Sequence, residues 1–512
     1  MSNPLLLLLH SDDNVGVAVR PIDAGERLPN GTGRLAALES IGMGHKVAIA
    51  AIPPDGPIRK YGQTIGFASR PIEAGEWVHT HNVRLRDFDR DFAPATAVPP
   101  PPAPITGRTF QGYRRSSGRA GTRNYIAVIS NVNCSASVAS YIARRFDGGI
   151  AGDYPNVDGV IAVKHEGGCG MQFAGPKHET LNRTLAGIAR HANIGAFVLV
   201  GLGCEQGSLD YLVESRHLVS LGGPDPQPVP VLSMQACGGT AKTVEAGVDA
   251  VRALLPRAND VRREPIPASE IVLGTECGGS DGNSGITANP ALGFAADMIV
   301  ACGGTAILSE TTEIFGAEHL LTRRAVSTTV AEKLLERIRW WKWYTGIFGG
   351  EMDNNPSVGN KEGGLTTIAE KSLGAIAKGG STALVDVYAY AEPVTARGFV
   401  VMDTPGYDPP SVTGMVAGGA NMVVFTTGRG SCFGCKPTPS IKVATNTPMY
   451  ERLVDDMDIN AGVILEGKAT VADVGRRIFE QILEVAGGRK TKSEILGIGD
   501  EEFVPWTVGP VL

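Results

Sequence analysis

Five cysteines recur in one sequence context. Cys134 follows "YIAVISNVN", Cys169 follows "GVIAVKHEGG", Cys204 follows "AFVLVGLG", Cys237 follows "VPVLSMQA" and Cys277 follows "EIVLGTE". Each stands just past a short apolar run that reads as a strand, beside glycine or another small residue. A thiolate is a soft ligand for iron or zinc. In open α/β sheets ligands bind outside the carboxyl ends of the strands, so five loops could present thiols to one region. Taken singly, a free cysteine is more often a small buried hydrophobe. Cys134, Cys169, Cys204 and Cys277 form the stronger set, Cys237 is undecided, and Cys302 at the end of a helical run reads as packing. Cys432 and Cys435 in "SCFGC" make a CxxC pair. Pro437 and Pro439 prevent the helix a redox motif needs, and no second pair follows to complete a zinc site.

The histidines offer a second kind of chemistry. His79 and His81 alternate along "WVHTHNV", which reads as a strand and would turn both imidazoles to one face, a workable metal pair. His165, in "KHEGGCG" at a strand end, is an acid/base candidate because imidazole titrates nearest neutrality.

The loop "GTECGGSDGNSG" (Gly274 to Gly285) lacks a P-loop lysine, the G-x-G-x-x-G register and the G-x-S-x-G elbow. It offers backbone N–H groups with Ser280, Asp281, Asn283 and Ser284, which suits a polyhydroxylated, anionic small molecule. Arg429 in "TTGRGS" could grip a carboxylate through two hydrogen bonds, and "NPSVGNKEGG" adds Asn360 and Lys361.

These residues need a scaffold. The proline-dense stretch from Phe92 to Arg108 reads as an extended linker. Residues 1–91 carry short β-like runs separated by turn signals, a small all-β unit in which "PLLLLL" is one strand. Beyond the linker, continuously apolar strands alternate with amphipathic helices, as in parallel sheets covered on both faces. Two α/β units are expected, 109–260 and 261–512. The net charge of -6 leaves no footprint for nucleic acid or an anionic membrane. No apolar run reaches the roughly 18 residues of a membrane helix, and a cytoplasmic protein with reduced thiols is expected.

At the level of motifs the chain resembles the altronate and galactarate dehydratases. The resemblance rests on "DNVGVAV", "GHKVA", "KYGQTIGFA" and "GEWVHTHN" before the linker. After it come "GYRRSSGRAGTRN", "GLGCE", "ECGGSDGNSGITANP", "FGAEHLL", "NPSVGNKEGGLTTIAEKSLG", "TGRGS" and "KVATNT". It covers nearly the whole chain and implies a SAF-type β-clip domain followed by two Rossmann-like α/β domains. It also implies a hydro-lyase that takes water from a sugar acid, an aldonate or aldarate, to give a 2-keto-3-deoxy acid. Ferrous iron, another divalent metal or an iron–sulfur cluster is the implied cofactor. On that reading Cys169, Cys204 and Cys277 hold the metal, with His79 and His81 contributing. His165 and Lys361 supply base and acid, while Arg123, Asn124, Ser280, Asp281, Ser284 and Arg429 orient the substrate. The expected partner is a small sugar acid, and the expected assembly a homo-oligomer, a dimer. A related branch splits sulfite from sulfolactate, so a lyase on another 2-hydroxy acid is the alternative, beside a non-catalytic sugar-acid-binding protein. One departure stands out: this chain reads "SCFGC" after "TGRG", where the altronate enzymes run through "TPYGG".

Overall fold

Runs of four to six residues broken by "PDG", "EAGE" and "DAGE" turns favour hairpins over helices. The computed structural model describes residues 5–29, 35–86, 90–150, 152–219 and 227–508, and the N-terminal unit forms two small antiparallel sheets. One orders Leu6–Leu7, Val15–Ala18, Lys46–Ala48 and Trp77–Val78; the other orders Pro57–Lys60, Gln63–Ala68 and Val83–Arg84. The expected strand through His79 and His81 does not form. It stops at Val78, and His79 to Asn82 make a turn in which the N–H groups of Asn82 and Val83 both donate to His79 O. Asn82 Oδ1 accepts from His79 N at 2.9 Å. The two imidazoles therefore do not share a strand face.

The linker contains no helix or strand, since proline lacks the donor a ladder needs. It lies against the C-terminal unit, with Ala95 N on Thr322 O, Ala97 N on Arg323 O and Ile105 N on Ala301 O.

The middle unit is a parallel sheet of four strands. They are β1 (Tyr125–Ser130), β2 (Gly159–Val163), β3 (Ile194–Gly201) and β4 (Val231–Ser233), in the order β2-β1-β3-β4. Helices Asn133–Arg144 and Thr240–Asn259 cover one face. Helix Pro176–Ala189 covers the other and packs on helix Asp408–Ala417 of the C-terminal unit, so the two units share a core. Thr109–Arg114 pairs antiparallel with Glu264–Pro267, fastening the start of the middle unit to its end.

Seven parallel strands build the C-terminal unit: β5 (Val272–Cys277), β6 (Thr305–Leu308), β7 (Leu384–Tyr388), β8 (Gly398–Met402), β9 (Met422–Thr427), β10 (Ser440–Ala444) and β11 (Ile459–Asn460). Their order is β7-β8-β6-β5-β9-β10-β11. From β5 the chain goes to β6 on one side and later returns to β9 on the other. The order thus reverses between β5 and β9, and open α/β sheets place their ligand crevice at the carboxyl ends beside such a point. Among the described residues no helix is long and apolar enough to cross a membrane.

Candidate active site

β5 is buried almost throughout and ends at Cys277, so the loop that follows emerges at the switch point. Gly279 has φ +60°, a conformation glycine adopts without strain. Its carbonyl accepts from Gly428 N at 3.0 Å and Arg429 N at 2.8 Å, tying the loops after β5 and β9 together. A Cβ on Gly282 would lie 2.0 Å from Gly44 O of the N-terminal unit. The glycines of "GTECGGSDGNSG" thus serve the turn and the close approach of the β-clip unit.

The polar residues of the loop divide into two groups. Asp281 is buried and saturated: it accepts from Thr445 Oγ1, Ser284 Oγ, Asn283 N and Asn446 Nδ2 at 3.0 to 3.2 Å. Ser284 Oγ also accepts from Asp281 N. These two, expected to hold substrate, instead fix the loop. Ser280 Oγ is buried with no partner, and is the hydroxyl of this loop left for a ligand.

The N-terminal unit closes the crevice with imidazoles. His79 Nε2 donates to Lys361 O at 2.8 Å and His45 Nε2 to Glu362 O at 3.1 Å. Trp77 Nε1 donates to His45 Nδ1 at 3.1 Å, which fixes that tautomer. His79 has Nε2 on backbone and Nδ1 against Thr80 Oγ1 at 3.0 Å, and among the described residues it joins no group of three close ligand atoms. His81 is exposed against the Trp77 ring, beside Glu39 and Glu76. Beneath them Lys46 and Lys60 both reach Glu370 at 2.9 Å, all three fully buried, and hold its carboxyl far below its usual range. Lys361 is half-buried on the helix Val358–Glu362, and Arg429 is exposed and pairs with Glu362 at 3.2 Å.

Below the loop lies a denser cluster. Cys277 Sγ is 3.7 Å from both Glu310 Oε1 and Glu313 Oε2, and Cys277 N donates to Glu310 Oε2 at 3.2 Å. Lys378 pairs with Glu310, and Lys371 with Glu313 at 2.6 Å. Glu276 accepts from Ser309 and Ser411 through Oε2, while its Oε1 is buried without a partner. Asp408, half-buried, stands close to Gly278, where a Cβ would lie 2.3 Å from its Oδ2. Glu310 takes the left-handed conformation, φ +60°, uncommon for a residue with a side chain and a frequent companion of functional sites. Burial and mutual repulsion push the carboxyls of Glu276, Glu310 and Asp408 up, and burial together with Glu310 pushes the Cys277 thiol up. Four carboxyls and a thiol face two ammoniums, an arrangement short of positive charge.

Sequence reading missed Glu276, Glu310, Glu313, Asp408, Lys371 and Lys378. "SETTE" after β6 and "TPGYD" after β8 follow strand ends just as the cysteines do, and that position was the available signal. Other expected residues lie elsewhere. Arg123 is buried in an ion pair with Glu494 at 2.7 Å and donates to Val485 O and Thr122 O. Asn124 is used up on Arg115, Asn156 O and Ala258 O. Both are structural, with no free donor for substrate. His165 sits on the β2 rim, with Nε2 on Ser130 O, Nδ1 accepting from Gly167 N, and burial lowering its pKa to about 4. It is not brought to Lys361. Cys169 and Cys204 are exposed on the four-stranded rim, whereas Cys277 is enclosed. Among the described residues no group of three close ligand atoms includes either, so the five proposed metal ligands do not form one site. Cys435 Sγ bonds Thr438 O and Ser440 Oγ, and neither it nor Cys432 is in a disulfide.

The implied iron can be tested against these donors. Ligand atoms of Cys277, Glu310 and Glu313 lie within 4.8 Å of one another, as do those of Glu276, Glu310 and Asp408. A thiol with carboxylates is a donor set suited to a borderline divalent ion, and the shortage of positive charge favours one. The residues fit.

Comparison with known proteins agrees along the chain. Residues 4–86 match the altronate/galactarate dehydratase SAF domain. Residues 112–259 match the second domain of D-galactarate dehydratase/altronate hydrolase, and 268–511 the D-galactarate/altronate dehydratase C-terminal domain. Galactarate dehydratase (L-threo-forming) of Escherichia coli (strain K12) is 40% identical, covering 94% of this chain and 92% of its own. Altronate dehydratase of Bacillus subtilis (strain 168) is 37% identical over 95% of this chain and 96% of its own. The (2R)-sulfolactate sulfo-lyase subunit beta of Chromohalobacter salexigens is 31% identical over 78% of this chain and 97% of its own. The chain therefore belongs to the galactarate/altronate dehydratase family.

Proposed function

We propose that this protein is a hydro-lyase that removes water from a sugar acid, an aldonate or aldarate, to give a 2-keto-3-deoxy acid. The observation that carries this reading is the position of the family's most specific loop. It ends β5 at the switch point, with Ser280 free above and the Cys277 acid cluster below. A base must take the proton beside the substrate carboxylate, the C–O bond to the neighbouring hydroxyl must break, and that hydroxyl must leave as water. The enol that remains tautomerises to the keto acid.

Asp408 is assigned the proton transfers, because it is half-buried at the mouth of the cluster beside Gly278. Arg429 offers its fork to the substrate carboxylate, and Ser280 its hydroxyl to the polyol. Cys277, Glu310 and Glu313 would hold ferrous iron. Such an ion supplies Lewis acidity at a carboxylate or hydroxyl. Lys371 and Lys378 pair with Glu313 and Glu310 and hold them in place. We also place the enzyme in the cytoplasm, since all eight cysteines stand unpaired, as reduced thiols do.

The test is an anaerobic assay with added Fe²⁺ against a panel of aldonates and aldarates, with (2R)-sulfolactate as a further arm. A 2-keto-3-deoxy acid from a panel member is expected. Sulfite release from sulfolactate with no keto acid from any sugar acid would overturn the reading, as would stoichiometric binding without turnover.

A further inference from the structure

The middle and C-terminal units enclose a second cavity, about 710 Å³, whose wall includes Ile194 to Phe197 at the amino end of β3. Its wall also takes Ala417, the end of helix Asp408–Ala417 opposite Asp408, so it lies away from the carboxyl-end rim where the acid cluster sits. Its wall is cationic. The hairpin from Thr109–Arg114 to Ala120–Gly121 supplies Arg114, Arg115 and Arg119. Helix Pro176–Ala189 supplies Arg183 and, just past its end, Arg190. Arg216 and Arg257 come from the ends of helices Leu209–Ser215 and Thr240–Asn259. Against these seven guanidiniums the wall holds one carboxylate, Asp260.

Part of this charge is already answered. Arg114 pairs with Glu264 at 2.7 Å and Arg216 with Glu179 at 2.5 Å. Carbonyl-rich helix ends account for Arg190, Arg216 and Arg257. They do not account for Arg183 within its helix, nor for Arg115 and Arg119 on the hairpin. Among the described residues Arg115, Arg119 and Arg183 make no ion pair. Arg115 donates only to Ala192 O, Arg123 O and Asn124 Oδ1, and Arg119 to Val394 O. Arg183 Nε is buried without an acceptor. Burial brings the pKa of Arg115 down to about 10 and lowers those of Arg119 and Arg183, outweighing the more distant carboxylates Asp158 near Arg115 and Glu392 and Glu179 near Arg183.

We propose that this cavity is a binding site for a small organic polyanion, one carrying two or more phosphate or carboxylate groups, separate from the catalytic crevice. Its volume is that of a small-molecule site, and the guanidinium fork matches both anions.

The experiment is isothermal titration of the full chain with fructose 1,6-bisphosphate and, separately, tricarballylate, at constant ionic strength set by sodium chloride. Saturable binding of at least one is expected, weakened at least tenfold in Arg183→Gln and in Arg190→Gln, and unchanged in Arg252→Gln. Arg252 is exposed and outside the cavity, and the exposed Arg190 provides a variant whose folding is not at stake. The tighter probe identifies phosphate esters or polycarboxylates as the source. Absence of binding by both, or binding unaltered in the two cavity variants, would overturn the proposal.

Discussion

The two parallel sheets carry the same local signature to opposite ends. On the four-stranded rim, Cys134, Cys169 and Cys204 follow apolar strands and remain exposed. On the seven-stranded rim, Cys277 follows an equivalent strand and is enclosed by Glu310 and Glu313, with Glu276 and Asp408 alongside. A cysteine at a strand end is therefore no guide to a site by itself. What separates the two rims is the acidic residue that each neighbouring strand of the larger sheet delivers, and the lysines that pair with Glu313 and Glu310.

The contrast can be broken most forcefully at the acids. Glu310→Gln keeps the shape and removes a charge beside Cys277 and Lys378. Turnover should fall by about 10²–10⁴-fold, the usual range for loss of a catalytic acid, base or metal contact. Glu205, next to Cys204 past the end of β3 with Oε2 accepting from Gly203 N at 2.6 Å, is the matching acid on the four-stranded rim, and Glu205→Gln should stay within about threefold of wild type. Equal losses in steady-state assays would erase the distinction between the rims.

Asp408→Asn sharpens it further. If Asp408 moves the proton, kcat should drop by about 10²-fold with KM little changed and bound iron retained. A raised KM with kcat preserved would make Asp408 a binding residue.

A smaller effect belongs to the lid over the larger rim. Burial, with Lys46 and His79 nearby, lowers the His45 pKa to about 4. An unfolded histidine protonates near pH 6.5, so between those values the unfolded state binds more protons and stability falls as the pH drops from about 6.5 to 4. The melting-temperature gap between wild type and His45→Gln should accordingly shrink from pH 7.5 to pH 5, by about 2 °C. A gap independent of pH would mean that His45 is not held neutral.

Much of the architecture could be read from sequence because it rests on local signals. Apolar runs with turn punctuation gave an all-β unit, the prolines of 92–108 gave an extended connection, and strand–helix alternation gave parallel sheets. The site was less legible, since its chemistry is assembled across strands. Glu310, Glu313 and Asp408 look like ordinary turn residues until β6, β5 and β8 lie side by side. Arg123 fails as a substrate contact because Glu494, far along the chain, claims its guanidinium. His79 and His81 lost their common face when the strand ended at Val78. Ser280 and Asp281 are adjacent in sequence, yet only the structure shows one hydroxyl free and one carboxylate saturated.

The central claim is that iron is held at the seven-stranded rim, by Cys277 with its carboxylates. Iron content per chain, measured after anaerobic reconstitution and desalting, tests it most directly in wild type, Cys277→Ser and the double variant Cys169→Ser/Cys204→Ser. The account predicts that Cys277→Ser loses most of its iron while the double variant keeps the wild-type stoichiometry. The reverse pattern would contradict it and move the metal to the four-stranded rim.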